Sequence, residues 1–378
     1  MKYIRYLFIL LLAVAVSFTH FSPVIAEFDV DAQSAILIEA STGQVVFEKN
    51  ADIPMPPASI TKIMTLFLAF EALDKGDITW EDQVVVSEDA WRMDGSEMFL
   101  NIGTKVSVGD LITGISVVSA NDGCIALAEY LYGSEKAFVE AMNKKAKELG
   151  LKNTQFKNSN GLPAEGHYMS ARDIAILARE LITRHPRILE LESMREFTYN
   201  GIKQYNRNPL LGVFPGADGL KTGWTEEAGY CLVGTAVQND MRMISVVLKT
   251  ENEEQRLKAS RELLSYGFRN FEKATLVWAD SVIGERPVKD GKELSVEVIA
   301  KDDISAVVPI DSKDKVEKIA EYSKELVAPV SKGEVVGTLK LELDGRLLGQ
   351  TDILVNQDVA RAGFFVRLFR WLSSLFGK

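Results

Sequence analysis

The chain has 378 residues, with 53 acidic against 43 basic side chains, three histidines and two cysteines. A net charge of −10 argues against nucleic-acid binding, and two cysteines do not make a disulfide framework. Three histidines supply a conventional zinc site poorly, so no metal or cofactor is expected.

The chain opens on a basic stretch, Met1-Lys2-Tyr3-Ile4-Arg5, followed by an apolar run from Leu7 to Phe18 and by the small-residue site Val24-Ile25-Ala26. That order is a secretory signal peptide over residues 1–26, cleaved before Glu27. Loss of Lys2 and Arg5 with it takes the net charge from −10 to −12, and His20 leaves too. The expected location is therefore extracytoplasmic.

Residues 27–275 mix periodicities: strand pairs over 35–49 and 229–249, and helices near 58–75, 122–149, 171–184 and 254–271. This predicts an α+β domain, an α/β sandwich long enough to bury a full core. Over 276–357 the texture changes to runs of period two, such as Leu294-Ser295-Val296-Glu297-Val298 and Leu339-Lys340-Leu341-Glu342-Leu343. These predict an antiparallel β domain with one solvated face. Residues 358–378 predict a helix with Phe364, Phe365, Leu368, Trp371, Leu372, Leu375 and Phe376 on one broad face and Arg367, Arg370 and Ser374 opposite. A basic amphipathic helix rich in aromatics lies in a membrane interface, and this one is too short and too charged to span.

Three motifs carry the chemistry. In Ser59-Ile60-Thr61-Lys62 the serine follows Pro56-Pro57-Ala58 and opens an apolar helix, so Lys62 stands one turn above it on the same face. The helix N-terminus favours a developing oxyanion, and an amine among Ile63, Met64 and Phe67 can be desolvated until it accepts a proton. The bland alternative is a helix cap with a snorkelling lysine. A second Ser-x-x-Lys string, Ser312 to Lys315, lies in a charged stretch with no apolar helix behind it and keeps that bland reading. Between two apolar helices, Ser119-Ala120-Asn121 offers a hydroxyl for proton relay and an amide for a substrate backbone. Before a strand, Lys221-Thr222-Gly223 offers a cation and a hydroxyl to an anionic group, and a glycine for close backbone approach.

In this order the motifs resemble the Ser-x-x-Lys, Ser-x-Asn and Lys-Thr-Gly elements of the penicillin-recognising serine acyltransferases. Ala35 to Gly43, Asn160-Gly161-Leu162, His167 and Ser170-Ala171-Arg172-Asp173 narrow the resemblance to the low-molecular-mass D-alanyl-D-alanine carboxypeptidases. It covers nearly all the chain after residue 26 and implies a β-lactamase/transpeptidase-like catalytic domain. It also implies removal of the terminal D-Ala from peptidoglycan stem pentapeptides, inhibition by β-lactams, and anchoring to the outer face of the cytoplasmic membrane. Carried across, Ser59 is the nucleophile, Lys62 its base, Ser119 the relay and Asn121 the substrate clamp. Lys221 and Thr222 hold a carboxylate beside Gly223, and the backbone N–H groups of Ser59 and Trp224 form the oxyanion hole. Trp224 stands where some relatives carry histidine, and Arg256 is a further carboxylate ligand by loose correspondence.

Rival readings are a DD-endopeptidase or β-lactamase on the same fold, or a non-catalytic wall-binding scaffold. A β-lactamase needs a base for fast deacylation, and the literal Glu-x-x-x-Asn match between the second and third motifs, Glu196 to Asn200, reads as strand. A Ser-His-Asp hydrolase would have to use His167 or His185, and the chain has no Gly-x-Ser-x-Gly elbow. Cys124 and Cys231 are expected near the cleft, with their pairing left open.

Overall fold

Strands whose residues are buried on both faces organise the catalytic part. The structure, a computed structural model, describes residues 28–376, so the expected signal peptide and its cleavage site lie outside the described residues. Strands β1 (Ser34–Glu39), β2 (Val45–Lys49), β3 (Ala217–Thr225), β4 (Gly229–Gln238) and β5 (Met241–Thr250) form an antiparallel sheet in the order β2-β1-β5-β4-β3. Neighbouring residues on a strand point to opposite faces. Ile36, Ile38, Ile244 and Val246 join the main core around Phe67, whereas Leu37 and Met243 meet Gly267 of helix α7 (Glu253–Asn270). Both faces are covered, which is why these strands read as continuous apolar runs rather than alternating ones.

Helix α1 (Lys62–Lys75) is buried for its first nine residues, Lys62 to Phe70, and ends on left-handed Gly76. Around it pack α2 (Val108–Val117), α3 (Asn121–Tyr132), α4 (Glu135–Glu148) and α5 (Ala171–Arg184), with the short α6 (Ile188–Glu192) against β3. The helix expected over 122–149 is two helices. Gly133 takes φ 78° as the C-cap of α3, and the Ser134 hydroxyl then accepts the Ala137 N–H to start α4. The same device starts α5 and α7, where Ser170 and Asn252 cap.

The β-rich part begins at β6 (Phe271–Val277), directly after α7, so this strand crosses the boundary expected at 275/276. It pairs with β9 (Ile304–Pro309), while β7 (Val282–Lys289), β8 (Ser295–Ala300), β10 (Glu317–Tyr322), β11 (Leu326–Val327), β12 (Val335–Leu343) and β13 (Arg346–Val355) form a six-stranded sheet. Its alternation buries Val296, Val298, Leu339, Leu341, Ile353 and Val355 in a separate core. Arg346 Nη2 donates to the Val45 carbonyl at 3.1 Å, joining this domain to the edge strand β2. Helix α8 (Phe364–Phe376) follows, and no helix among the described residues is long and apolar enough to cross a membrane.

Two glycines let the backbone close around the turn that carries Ser59. Gly161 has φ 86°, and a Cβ there would lie 1.8 Å from the Ala58 carbonyl oxygen. On the other side, a Cβ at Gly223 would lie 3.0 Å from the Pro57 carbonyl oxygen. Gly161→Ala should therefore cost about 2–4 kcal/mol and lower the melting temperature by roughly 4–16 °C. An unchanged melting temperature would show that the turn is not clamped there.

Candidate active site

Ser59 stands in a tight 3-10 turn, Ala58–Thr61, and α1 begins only at Lys62. The expected placement on the first α-turn thus becomes a sharper bend, entered through left-handed Ala58 at φ 48°. Such a backbone costs about 1–3 kcal/mol for a non-glycine residue and persists because its surroundings fix it. Behind the turn, Thr61 Oγ1 and His167 Nε2 are 2.9 Å apart.

Lys62 is fully buried, and its Nζ donates to Ser59 Oγ (3.0 Å), Asn121 Oδ1 (2.7 Å) and the Asn160 carbonyl (2.6 Å). Burial strips water from the ammonium, and the charges of Lys221 and Arg207 repel it, drawing its pKa down to about 7 against the pull of Asp122. The amine is thus poised between donor and base near neutrality. Asn160 is held for this role: Thr65 Oγ1 donates to the Ser159 carbonyl at 2.6 Å, and Gly161 N–H donates to Asn158 Oδ1 at 2.7 Å.

Ser119 is the second strained residue, buried with φ 66°, and its hydroxyl has no hydrogen-bond partner among the described residues. Asn121 opens α3, with its backbone N–H on the Ser96 carbonyl (2.7 Å) and its Nδ2 on the Asp94 carbonyl (2.7 Å). The next residue, Asp122, accepts the N–H groups of Met98 and Leu100, each at 3.0 Å. These bonds hold the 94–100 segment along the cleft. The sequence alone does not single out Asp122 for this, because an acid in a helix's first turn reads as ordinary capping.

The third wall is β3, the free edge of the main sheet, so alternate backbone groups of the strand have no strand partner on that side. Lys221 and Thr222 are buried, and Trp224 is 57% exposed with its ring against Tyr230. The open side of Gly223 faces the backbone of the nucleophile turn, so the glycine serves the approach of strand to turn before that of any ligand. Ser59, Ser119, Asn121, Thr222, Trp224 and Arg256 line one cleft of about 1110 Å³. Arg256 is 5% exposed, its Nε has no partner among the described residues, and its guanidinium lies 5.6 Å from the Tyr230 ring centre. Arg207 also lines the cleft. It belongs to no motif, and only the tertiary fold brings it to the other cations.

A hydroxyl held by an amine that titrates near neutrality, a second unpaired hydroxyl and a group of cationic side chains form an acyl-transfer site for a substrate with an anionic end. Other candidates stand apart. Glu196 lies in an exposed ribbon and pairs with Lys203 at 2.8 Å. Ser312 lies in a turn of the β domain beside Lys313, which pairs with Glu272. Cys124 and Cys231 are buried and free, and burial pushes their thiols up to about 12 and about 11. Neither is a thiolate at neutral pH.

The family description "D-alanyl-D-alanine carboxypeptidase" matches residues 20–252, and "Penicillin-binding protein 5, C-terminal domain" matches residues 271–361. The D-alanyl-D-alanine carboxypeptidase DacF of Bacillus subtilis is 41% identical over 346 residues, covering 90% of this chain and 89% of that protein. The crystal structure of penicillin-binding protein 5 from Haemophilus influenzae superposes with a TM-score of 0.81 at 38% identity, over 89% of this chain and 100% of that one. Penicillin-binding protein D2 from Listeria monocytogenes, in its ampicillin-bound form, gives a TM-score of 0.59 at 35% identity, over 64% of this chain and 99% of that one. The chain belongs to the D-alanyl-D-alanine carboxypeptidase family and is a serine-type carboxypeptidase.

Proposed function

We propose that this carboxypeptidase removes the terminal D-alanine of peptidoglycan stem pentapeptides through an acyl-enzyme on Ser59. The observation that carries the assignment is the 3.0 Å contact between Ser59 Oγ and the fully buried Lys62 amine. In its neutral form Lys62 keeps its bonds to Asn121 and Asn160 and turns its lone pair to the Ser59 hydroxyl. Ser59 then attacks the penultimate D-Ala carbonyl, and the proton passes through Ser119 to the leaving nitrogen. Lys221, Thr222, Arg207 and Arg256 meet the terminal carboxylate, and the N–H groups of Ser59 and Trp224 receive the oxyanion. Water resolves the ester. A β-lactam presents the same carboxylate and a strained acyl group to the same serine, and the ampicillin-bound relative supports this reading. The outward placement of Glu196 favours the carboxypeptidase over a β-lactamase, since it leaves that acid away from Ser59.

The same proposal places the enzyme outside the cytoplasmic membrane, with α8 lying in the interface. In support, Phe365 and Phe369 are 82% and 72% exposed, while the basic side is engaged by the β domain. Arg370 Nη1 donates to the Gly291 carbonyl at 2.7 Å, and Arg367 reaches Asp290 at 3.8 Å. Phe365 and Phe369 are thereby turned away from their own protein.

Ser59→Ala should abolish both D-alanine release from a diacyl-L-Lys-D-Ala-D-Ala peptide and covalent penicillin labelling, with an unchanged melting curve; residual labelling would move the nucleophile elsewhere. Lys62→Ala should slow acylation about 10²–10⁴-fold. Because the base is the neutral amine, the acylation rate should rise about tenfold per pH unit up to a bend near pH 7. A flat profile between about pH 5 and 8 would remove Lys62 from that role. Truncation after residue 360 should release the protein from anionic phospholipid vesicles in a sedimentation assay while leaving D-alanine release intact.

A further inference from the structure

One buried acid takes no part in the catalytic steps. Glu192 ends α6 and is 1% exposed. Its side chain lies against β3, with its Cβ 3.4 Å from where a Cβ would sit on Gly219, two residues before Lys221. Asn206 Nδ2 donates to the Glu192 carbonyl at 3.0 Å, which ties the end of α6 to the segment carrying Arg207. The hydroxyl of Ser116 approaches from α2 as a weak donor that favours the ionised carboxyl, and among the described residues neither carboxyl oxygen makes a full hydrogen bond. A buried carboxylate without a hydrogen bond is costly unless a charge of opposite sign answers it.

The cation on that side of the strand is Lys221, two residues beyond Gly219 on the same face of β3, and the attraction acts on both groups. Burial pushes the Lys221 amine down and the Glu192 carboxyl up, and their attraction opposes both shifts. The other groups acting on Lys221 do not replace the acid. Arg207 and Arg256 are cations that drive its proton off, Lys62 and Lys221 repel each other, and Cys124 is a neutral thiol. We infer that Glu192 is a positioning residue of this enzyme: across the base of β3, its carboxylate is the counter-charge that keeps Lys221 cationic and set toward the substrate's terminal carboxylate. The inference rests on Lys221 as the carboxylate anchor. It adds that the anchor works only with an acid behind it, on an element that never touches substrate.

The test is the pH profile of kcat/KM for D-alanine release by the full chain, for wild type, Glu192→Gln and Glu192→Asp. Each is also measured on the same peptide ending in a carboxamide. Lys221 binds the carboxylate only while protonated, so activity falls as pH rises through its pKa, and loss of the acid moves that fall to lower pH. Glu192→Gln should shift the alkaline limb down by about one unit, cut kcat/KM about tenfold near pH 8.5 through KM, and shrink the preference for carboxylate over carboxamide by a similar factor. Glu192→Asp should retain the limb. A Glu192→Gln enzyme with the wild-type limb and preference overturns the inference. If Lys221→Ala also keeps the preference, the anchor assignment itself falls, and the inference with it. Should Glu192→Gln be too unstable to assay, removing both charges with Glu192→Gln and Lys221→Met together should recover stability. A double variant no more stable than the single one overturns the pairing.

Discussion

The site depends on the burial of one amine. Lys62 sits at the head of the central helix with no contact with water, and three oxygens from three different segments surround it: Ser59, Asn121 and Asn160. An unsolvated ammonium is tolerable only with such partners, and a neutral amine there becomes a base. The surrounding structure delivers those oxygens. Strand β3 and the 159–161 segment close on the nucleophile turn from either side, and α3 presents Asn121 from above.

Closure at this distance asks for backbone conformations that most residues avoid. Ala58 and Ser119 both take positive φ without being glycine, while Gly161 and Gly223 stand where a side chain would meet the backbone of the turn. The strain falls on the residue before the nucleophile and on the relay serine. It is held by well-satisfied neighbours, among them Asp122 on Met98 and Leu100 and Thr65 on Ser159. This is preorganisation: the dipoles and hydroxyls are fixed before substrate arrives, so little reorganisation remains for the reaction.

Charge is arranged to the same end. The chain as a whole is acidic, yet the cleft gathers Lys62, Lys221, Arg207 and Arg256. Crowded cations lower each other's affinity for protons, which suits Lys62 as a base and works against Lys221 as an anchor. One acid behind β3 resolves the conflict for the second lysine, so two lysines in one site can hold opposite protonation states. Tuning two like groups apart by their surroundings is the general route to acid and base chemistry at one pH.

Much of this was legible in the residues. The ordered motifs at Ser59, Ser119 and Lys221 located the chemistry, because a serine one helical turn from a lysine is a local fact that needs no tertiary information. The apolar runs of β4 and β5 and the alternation of β12 likewise announced strands, since burial on two faces or on one writes itself into the side chains. Other features lay beyond local reading. The break at Gly133-Ser134 was hidden by continuous helical propensity on both sides, and the 3-10 turn at Ser59 packs against Gly161, which lies far along the chain. Arg207 and Glu192 carry no motif; each acquires meaning from the charge that the fold sets beside it, and a charge interaction depends on separation in space, which sequence distance does not encode. The residue types and their local spacing determined what reaction is possible, and the tertiary structure decided which lysine gives up its proton and which keeps it.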